Sequence, residues 1–137
     1  MMGNDIGIIA PYTAQISLLN RLLKSNAEYR RQVETLLGPL RAMQVGNIEV
    51  KTVDGFEGRE KEVIIFSTVR NNAAGHIGFL GDRRRMNVGL TRAKRGLFVV
   101  GSVGTLKRGR EERDVWVRYV DWLAANGAVT KYRKSSD

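Results

Sequence analysis

Arg85 and Arg92 lie seven residues apart in the stretch Asp82-Arg-Arg-Arg-Met-Asn-Val-Gly-Leu-Thr-Arg-Ala-Lys-Arg-Gly96. On a helix, at about 100° per residue, that spacing brings the two side chains within roughly 20° of each other. Asp82 as an N-cap and Gly96 as a C-terminal stop predict a helix over 83–94, feeding a buried strand at Leu97-Phe-Val-Val-Gly101. Met86, Leu90 and Ala93 would form an apolar seam beside the arginines, and Gly89 would let another backbone or a ligand come close. Two guanidinium forks in this arrangement suit an anion, and a solvated basic helix face is the alternative. A second stretch with chemical potential is Thr52-Val-Asp-Gly-Phe-Glu-Gly-Arg-Glu60. Its glycines, Gly55 and Gly58, let the backbone fold tightly and turn N–H groups toward an anion.

These groups need a scaffold, and the apolar pattern supplies one. Ile6-Gly-Ile-Ile-Ala, stopped by Pro11, reads as a short strand buried on both faces, which predicts a parallel sheet. Thr13 can cap the helix that follows, with Ile16, Leu19, Leu22 and Leu23 at helical spacing. Residues 24–47 predict a surface helix, stopped by Gly38-Pro39, and a loop. Ile48-Glu-Val-Lys-Thr52 alternates as a half-wet strand does, and Val63-Ile-Ile-Phe-Ser-Thr-Val69 is the strongest central strand. Arg70 and Asn71 follow it, at the carboxyl end of a strand, where open α/β sheets place ligands. Arg70 is either a phosphate contact or a structural bridge. Val115, Trp116, Tyr119, Val120 and Leu123 mark a covering amphipathic helix, in which core packing suits Trp116 better than base stacking.

The chain of 137 residues has room for a single domain, expected over 1–130, with a frayed basic tail at 131–137. A net charge of +9 and a pI near 10.4 predict attraction to a polyanion, with basic clusters at 83–85, 92–95, 107–110 and 131–134. Nucleic acid fits this charge better than membrane, because the cationic helix lacks a broad apolar face opposite its arginines. No apolar run approaches a membrane span, and no basic-then-apolar signal opens the chain, so an intracellular location in nucleus or cytoplasm is expected. Without cysteine, and with a single histidine, disulfides and Cys- or His-rich metal sites are excluded. His76 stands in a glycine-flanked loop with nothing around it to suggest nucleophilic catalysis.

Three stretches in order, Ile8-Ile-Ala-Pro-Tyr-Thr-Ala-Gln15, Thr52–Glu60 and Asp82–Gly96, resemble motifs IV, V and VI of the superfamily 1 nucleic-acid helicases. The branch is the one containing the nonsense-mediated-decay helicase and senataxin, and the similarity runs from residue 6 to about 101. The resemblance implies the second RecA-like domain of such an enzyme: a three-layer α/β/α RecA-like fold of the P-loop NTPase type with a mainly parallel sheet. It also implies roles. Arg92 would be the arginine finger on ATP, with Arg85 in support. Tyr12 and Gln15 of motif IV, together with Gly58, would contact ATP, and Glu60 would accept a hydrogen bond from its ribose. A carboxylate suits ribose hydroxyls because it only accepts. The alternative for Tyr12 and Gln15 is packing and capping, and for Glu60 a salt bridge to Arg59, Lys61 or an arginine of 83–94. Thr52 and Val53 would face the phosphate backbone of a single strand of RNA or DNA, joined by Arg70 and Asn71. Thr13 and Ile16 stand where some relatives carry arginine, and Glu57 replaces the usual glutamine, so the hydrogen bond a glutamine would donate there is lost or replaced.

The chain has no Gly-x-x-x-x-Gly-Lys-[Ser/Thr] phosphate loop and no strand ending in an acidic pair for magnesium. By the same resemblance, a first RecA-like domain would hold most of ATP and Mg2+, and this domain would close on it, moving along a single strand. The competing reading is a stand-alone nucleic-acid-binding or protein-interaction module of the same fold, without catalysis. A flavodoxin-like small-ligand domain is disfavoured by the missing glycine-rich first turn and the strong basicity.

Overall fold

The computed structural model describes residues 2–10, 12–68, 83–101 and 113–130. The chain forms β1 (Ile6–Ile9), α1 (Thr13–Lys24), α2 (Ala27–Leu37), α3 (Pro39–Val45), β2 (Glu49–Lys51), β3 (Lys61–Ser67), α4 (Arg83–Leu90), β4 (Ala93–Val100) and α5 (Arg113–Ala125). Short 3-10 turns at Gly3–Asp5 and Asp54–Phe56 precede β1 and β3. Arg70, Asn71, His76, Asp82, the 107–110 cluster and the 131–137 tail lie outside the described residues.

All four strands run parallel in the order β2-β1-β3-β4. The two interior strands are the ones richest in isoleucine and valine, as expected for strands covered on both faces. On one face Ile9, Ile64 and Phe66 join Val53, Phe56, Met86 of α4 and Val120 of α5 in a single buried cluster. On the other, Ile8 and Val50, register partners across β1 and β2, are buried outside that cluster, and α1 packs against β2. Helices on both faces of a parallel sheet make the three-layer α/β/α RecA-like arrangement.

Local chemistry explains the boundaries. Asn26 caps α2 by accepting the Tyr29 N–H at 2.8 Å, and Pro39 opens α3, where its missing N–H costs nothing. The stretch 39–45, expected as loop, is therefore helical. Tyr12, not Thr13, occupies the cap position of α1, and its side chain makes no capping bond.

Three expectations for the cationic segment are corrected. The helix does not reach residue 94: α4 stops at Leu90 and β4 is already paired at Ala93, opposite Lys61. Thr91 Oγ1 donates to the Asn87 and Val88 carbonyls at 2.7 and 3.2 Å, so the last turn is closed by a side chain and not by Gly96. Extending β4 lets it pair with β3 from Lys61 to Ser67, with a bulge between Ala93 and Gly96, and that ladder outweighs the strong intrinsic helical preference of Ala-Lys-Arg. Nor is β4 buried on both faces. Leu97 and Val99 pack against the core while Phe98 and Val100 are 62% and 58% exposed. Gly89 also serves a different end from the one its position suggested. A Cβ there would collide with the Phe66 ring, so the open position admits the core beneath α4 rather than a ligand above it.

Candidate nucleotide and nucleic-acid interface

Because the strands are parallel, the sheet has one edge where every strand begins and another where every strand ends, and the candidate residues divide between them. At the beginning edge, the Lys61 N–H donates to the Arg92 carbonyl at 3.0 Å, so the residue before β4 is bonded to the residue after Glu60. Arg92 is half-buried. Its Nε donates to the Val88 carbonyl at 3.1 Å and one terminal nitrogen donates to Thr91 Oγ1 at 3.2 Å. Both acceptors are neutral. Among the described residues no carboxylate pairs with this guanidinium, which is therefore oriented but not neutralised. Arg85 shares no helix face with it, since Arg92 is outside α4; the Arg85 backbone lies in that helix and its side chain lies outside the described residues.

Glu60 is exposed, and among the described residues its carboxylate has no hydrogen bond or ion pair. The salt bridges open to it in sequence go elsewhere. Arg59 and Lys61 both turn to Glu49, at 2.9 and 3.1 Å, with Lys51 at 3.6 Å. Sequence reading missed Glu49, whose only signal was a polar position in an alternating strand. Burial alone would raise its carboxyl, but hydrogen bonds and charge from Lys61 and Arg59 outweigh this and hold it below its ordinary value of 4.5. A carboxyl lowered on folding adds stability that is complete above the ordinary value and is lost as pH falls through the folded one. The stability gap between the wild-type chain and Glu49→Gln, followed by denaturant titration, is accordingly expected to be widest above pH 4.5 and to close on acidification below it.

The ending edge holds the other set. Gln15, on the first turn of α1, donates from Nε2 to Ser67 Oγ at 3.2 Å and ties the start of α1 to the end of β3. Tyr12 is half-buried beside it in sequence, at the cap of the same helix. Thr52 follows β2, and its Oγ1 accepts the Gly55 N–H at 3.2 Å, which fixes the loop as it leaves the strand. Val53 is 1% exposed, a core residue, so only its backbone can meet a ligand. Tyr12 and Gln15 thus share an edge with Thr52, while Gly58, Glu60 and Arg92 occupy the opposite one. The residues expected around ATP do not converge within this chain, because β1 delivers Tyr12 and Gln15 where strands end.

One segment joins the two edges. From Thr52 the chain crosses the sheet, buries Phe56 completely, turns at Gly58 with φ +74° and reaches Glu60 at the head of β3. Gly7 of β1 makes the crossing possible: a Cβ there would stand 2.9 Å from the Phe56 ring and 3.1 Å from Lys61 Cγ. Arg59 Cζ also lies 5.9 Å from the centre of the Phe56 ring.

Residues 2–104 match the family described as "AAA domain". The chain is 39% identical over 127 residues to the DNA polymerase alpha-associated DNA helicase A of Saccharomyces cerevisiae, covering 92% of this chain and 16% of that protein. It is 39% identical over 116 residues to Helicase sen1 of Schizosaccharomyces pombe, covering 85% and 6%. With a Regulator of nonsense transcripts 1 homolog of Arabidopsis thaliana it shares 35% over 131 residues, covering 96% and 8%. The chain thus spans between 6% and 16% of the length of these relatives. Motifs, parallel sheet and relatives agree: the chain belongs to the AAA-domain family of superfamily 1 helicases, in the branch of the nonsense-mediated-decay helicase and senataxin, as their second RecA-like domain.

Proposed function

We propose that this domain is the second half of an ATP-dependent helicase motor, supplying Arg92 as an arginine finger, and Glu60 as a ribose acceptor, to ATP held by a first RecA-like domain. One observation carries the reading. The Arg92 guanidinium is aimed by the Val88 carbonyl and the Thr91 hydroxyl and has no carboxylate partner among the described residues, and the Arg92 backbone carbonyl accepts from the N–H of Lys61, the residue next to Glu60. A cation and an acceptor carried by neighbouring strands at one edge of the sheet match the two parts of a nucleotide, phosphate and ribose. Gly58 shapes the turn that brings Glu60 to this edge. Bound ATP supplies the phosphoryl group, and these residues orient it and stabilise the charge that grows on its oxygens. No group of three acidic or histidine side chains stands ready for a metal among the described residues, and Mg2+ is assigned with the phosphate loop to the first domain.

The ending edge is assigned to a single strand of RNA or DNA, with Thr52, the Val53 backbone, Arg70 and Asn71 on the track. Tyr12 and Gln15, which the resemblance places near ATP, lie at this same edge, where Gln15 is bonded to Ser67 at the end of β3, and a place on the track suits them better. Among the described residues no helix is long and apolar enough to cross a membrane, and a nuclear or cytoplasmic motor fits the relatives. Alone, the domain is expected to bind single strands weakly, with Kd on the order of 10⁻⁴–10⁻⁶ M, little sequence preference and steep salt dependence. It is expected to hydrolyse no ATP, lacking the phosphate loop. Fluorescence titration over a salt series, with a phosphate-release assay on the same protein, checks both. Affinity indifferent to salt, or turnover stimulated by strand, would overturn the assignment.

A further inference from the structure

Three cations from two strands and the crossing segment gather on Glu49, and two of them are the immediate neighbours of Glu60. Lys61 is nearly buried, with its side chain 11% exposed. It passes over Gly7 to reach Glu49 Oε1 at 3.1 Å, and also donates to the Asn4 carbonyl at 2.6 Å. Arg59 reaches both Glu49 oxygens at 2.9 Å. Side chains alternate in direction along a chain that is entering a strand. With Arg59 and Lys61 anchored on one side, the residue between them is directed to the other.

Charge leads to the same conclusion. An exposed carboxylate between an arginine and a lysine has two cations within easy reach, and in this fold a third residue withdraws both. Among the described residues Glu60 is left as an unneutralised acceptor whose flanking side chains are held on Glu49. We infer that Glu49 is a positioning residue for nucleotide recognition, holding Arg59 and Lys61 away from Glu60 so that its carboxylate stays free and aimed at the ribose hydroxyls. The inference rests on the reading of Glu60 as the ribose acceptor.

The test uses the full-length protein and compares KM for ATP with KM for 2′,3′-dideoxy-ATP, which lacks the hydroxyls a carboxylate would accept from. Glu60→Ala examines the underlying reading and is expected to raise KM for ATP about tenfold, toward the dideoxy value, which it leaves alone. Glu49→Gln should raise KM for ATP by about 3–10-fold with kcat within about twofold, again without moving the dideoxy KM. In the double variant the two effects should not add, because both remove one contact. Arg59→Ala, at a half-exposed position, removes one of the cations that Glu49 restrains, so alone it should leave the preference for ATP intact, and in the Glu49→Gln background it should restore part of it, as Glu49→Asp should relative to Glu49→Gln. If Glu60→Ala leaves the preference unchanged, the ribose assignment falls and the positioning role falls with it. If Glu60→Ala abolishes the preference but Glu49→Gln does not, the ribose assignment stands and the positioning role is wrong. Equal rises in KM for both nucleotides on Glu49→Gln, accompanied by a lower Tm, would make Glu49 a structural residue only.

Discussion

Arg92→Ala in the full-length helicase is expected to lower kcat for ATP hydrolysis by about 10³–10⁵-fold, the range that arginine fingers supply in well-studied NTPases, while strand Kd changes far less. Negative charge spreads over the γ-phosphate oxygens as transfer proceeds, and a guanidinium whose orientation is fixed beforehand stabilises such a state without reorganising. The competing explanation is structural, because Arg92 also donates to the Val88 carbonyl at the end of α4. A hydrogen bond from a charged guanidinium is worth about 1.5–3 kcal/mol, whereas a 10³-fold fall in rate corresponds to about 4 kcal/mol, so loss of the cap is too small to account for the effect. Arg92→Lys should recover little, since an ammonium offers a point charge in place of a planar fork. Arg85→Ala should be milder, as the two residues lie on different elements. Single-turnover hydrolysis and strand binding, measured side by side for the three variants, decide the matter. An intact kcat with collapsed strand affinity would make Arg92 a contact to the nucleic-acid backbone.

The largest loss of stability is expected from Phe56→Ala, at about 3–5 kcal/mol, because the ring is fully buried under the crossing segment and nothing nearby can fill the void. Its neighbours Ile9, Ile64 and Phe66 sit on strands held by the ladder, so they cannot collapse inward. That loss is comparable with the whole stability of many small domains. Phe56→Leu keeps most of the apolar volume and should cost roughly half as much. Chemical denaturation of the isolated domain measures both. An alanine variant as stable as wild type would show that the crossing is not anchored by this ring.

Much of this architecture could be read from residue order, and the parts that could not have a common cause. β1 and β3 were legible because interior parallel strands are continuous runs of branched apolar residues, and Ile8-Ile9 and Val63-Ile-Ile-Phe66 are such runs. The end of α4 was not, since Thr91-Arg-Ala-Lys-Arg is acceptable to a helix and only the ladder with β3 forces it straight. Glu49 is the same kind of case. Its importance comes from Lys61 and Arg59 arriving from the far side of β1, over a glycine whose purpose is invisible until Phe56 and Lys61 are seen to cross it. Motif order placed Tyr12, Gln15, Gly58, Glu60 and Arg92 in one chemical group, but motif order is blind to sheet polarity. The direction of each strand decides which edge a residue occupies, and it separates the first two from the other three.

The crossing from Thr52 to Glu60 also determines where this domain can tolerate a change in length. It is pinned at its start by Thr52 on Gly55, in its middle by Phe56 and at its end by Arg59 on Glu49, which leaves no slack for a residue to be gained or lost. A single deletion there would shift Glu60 out of line with Arg92 or pull Phe56 from the core. The excursion from α1 to β2 is the reverse. Leu36, Leu40 and Met43 lie on its surface, and lengthening a surface connection adds only a small closure entropy. Insertions have room around α2 and α3, whereas the segment from Thr52 to Glu60 must keep its length.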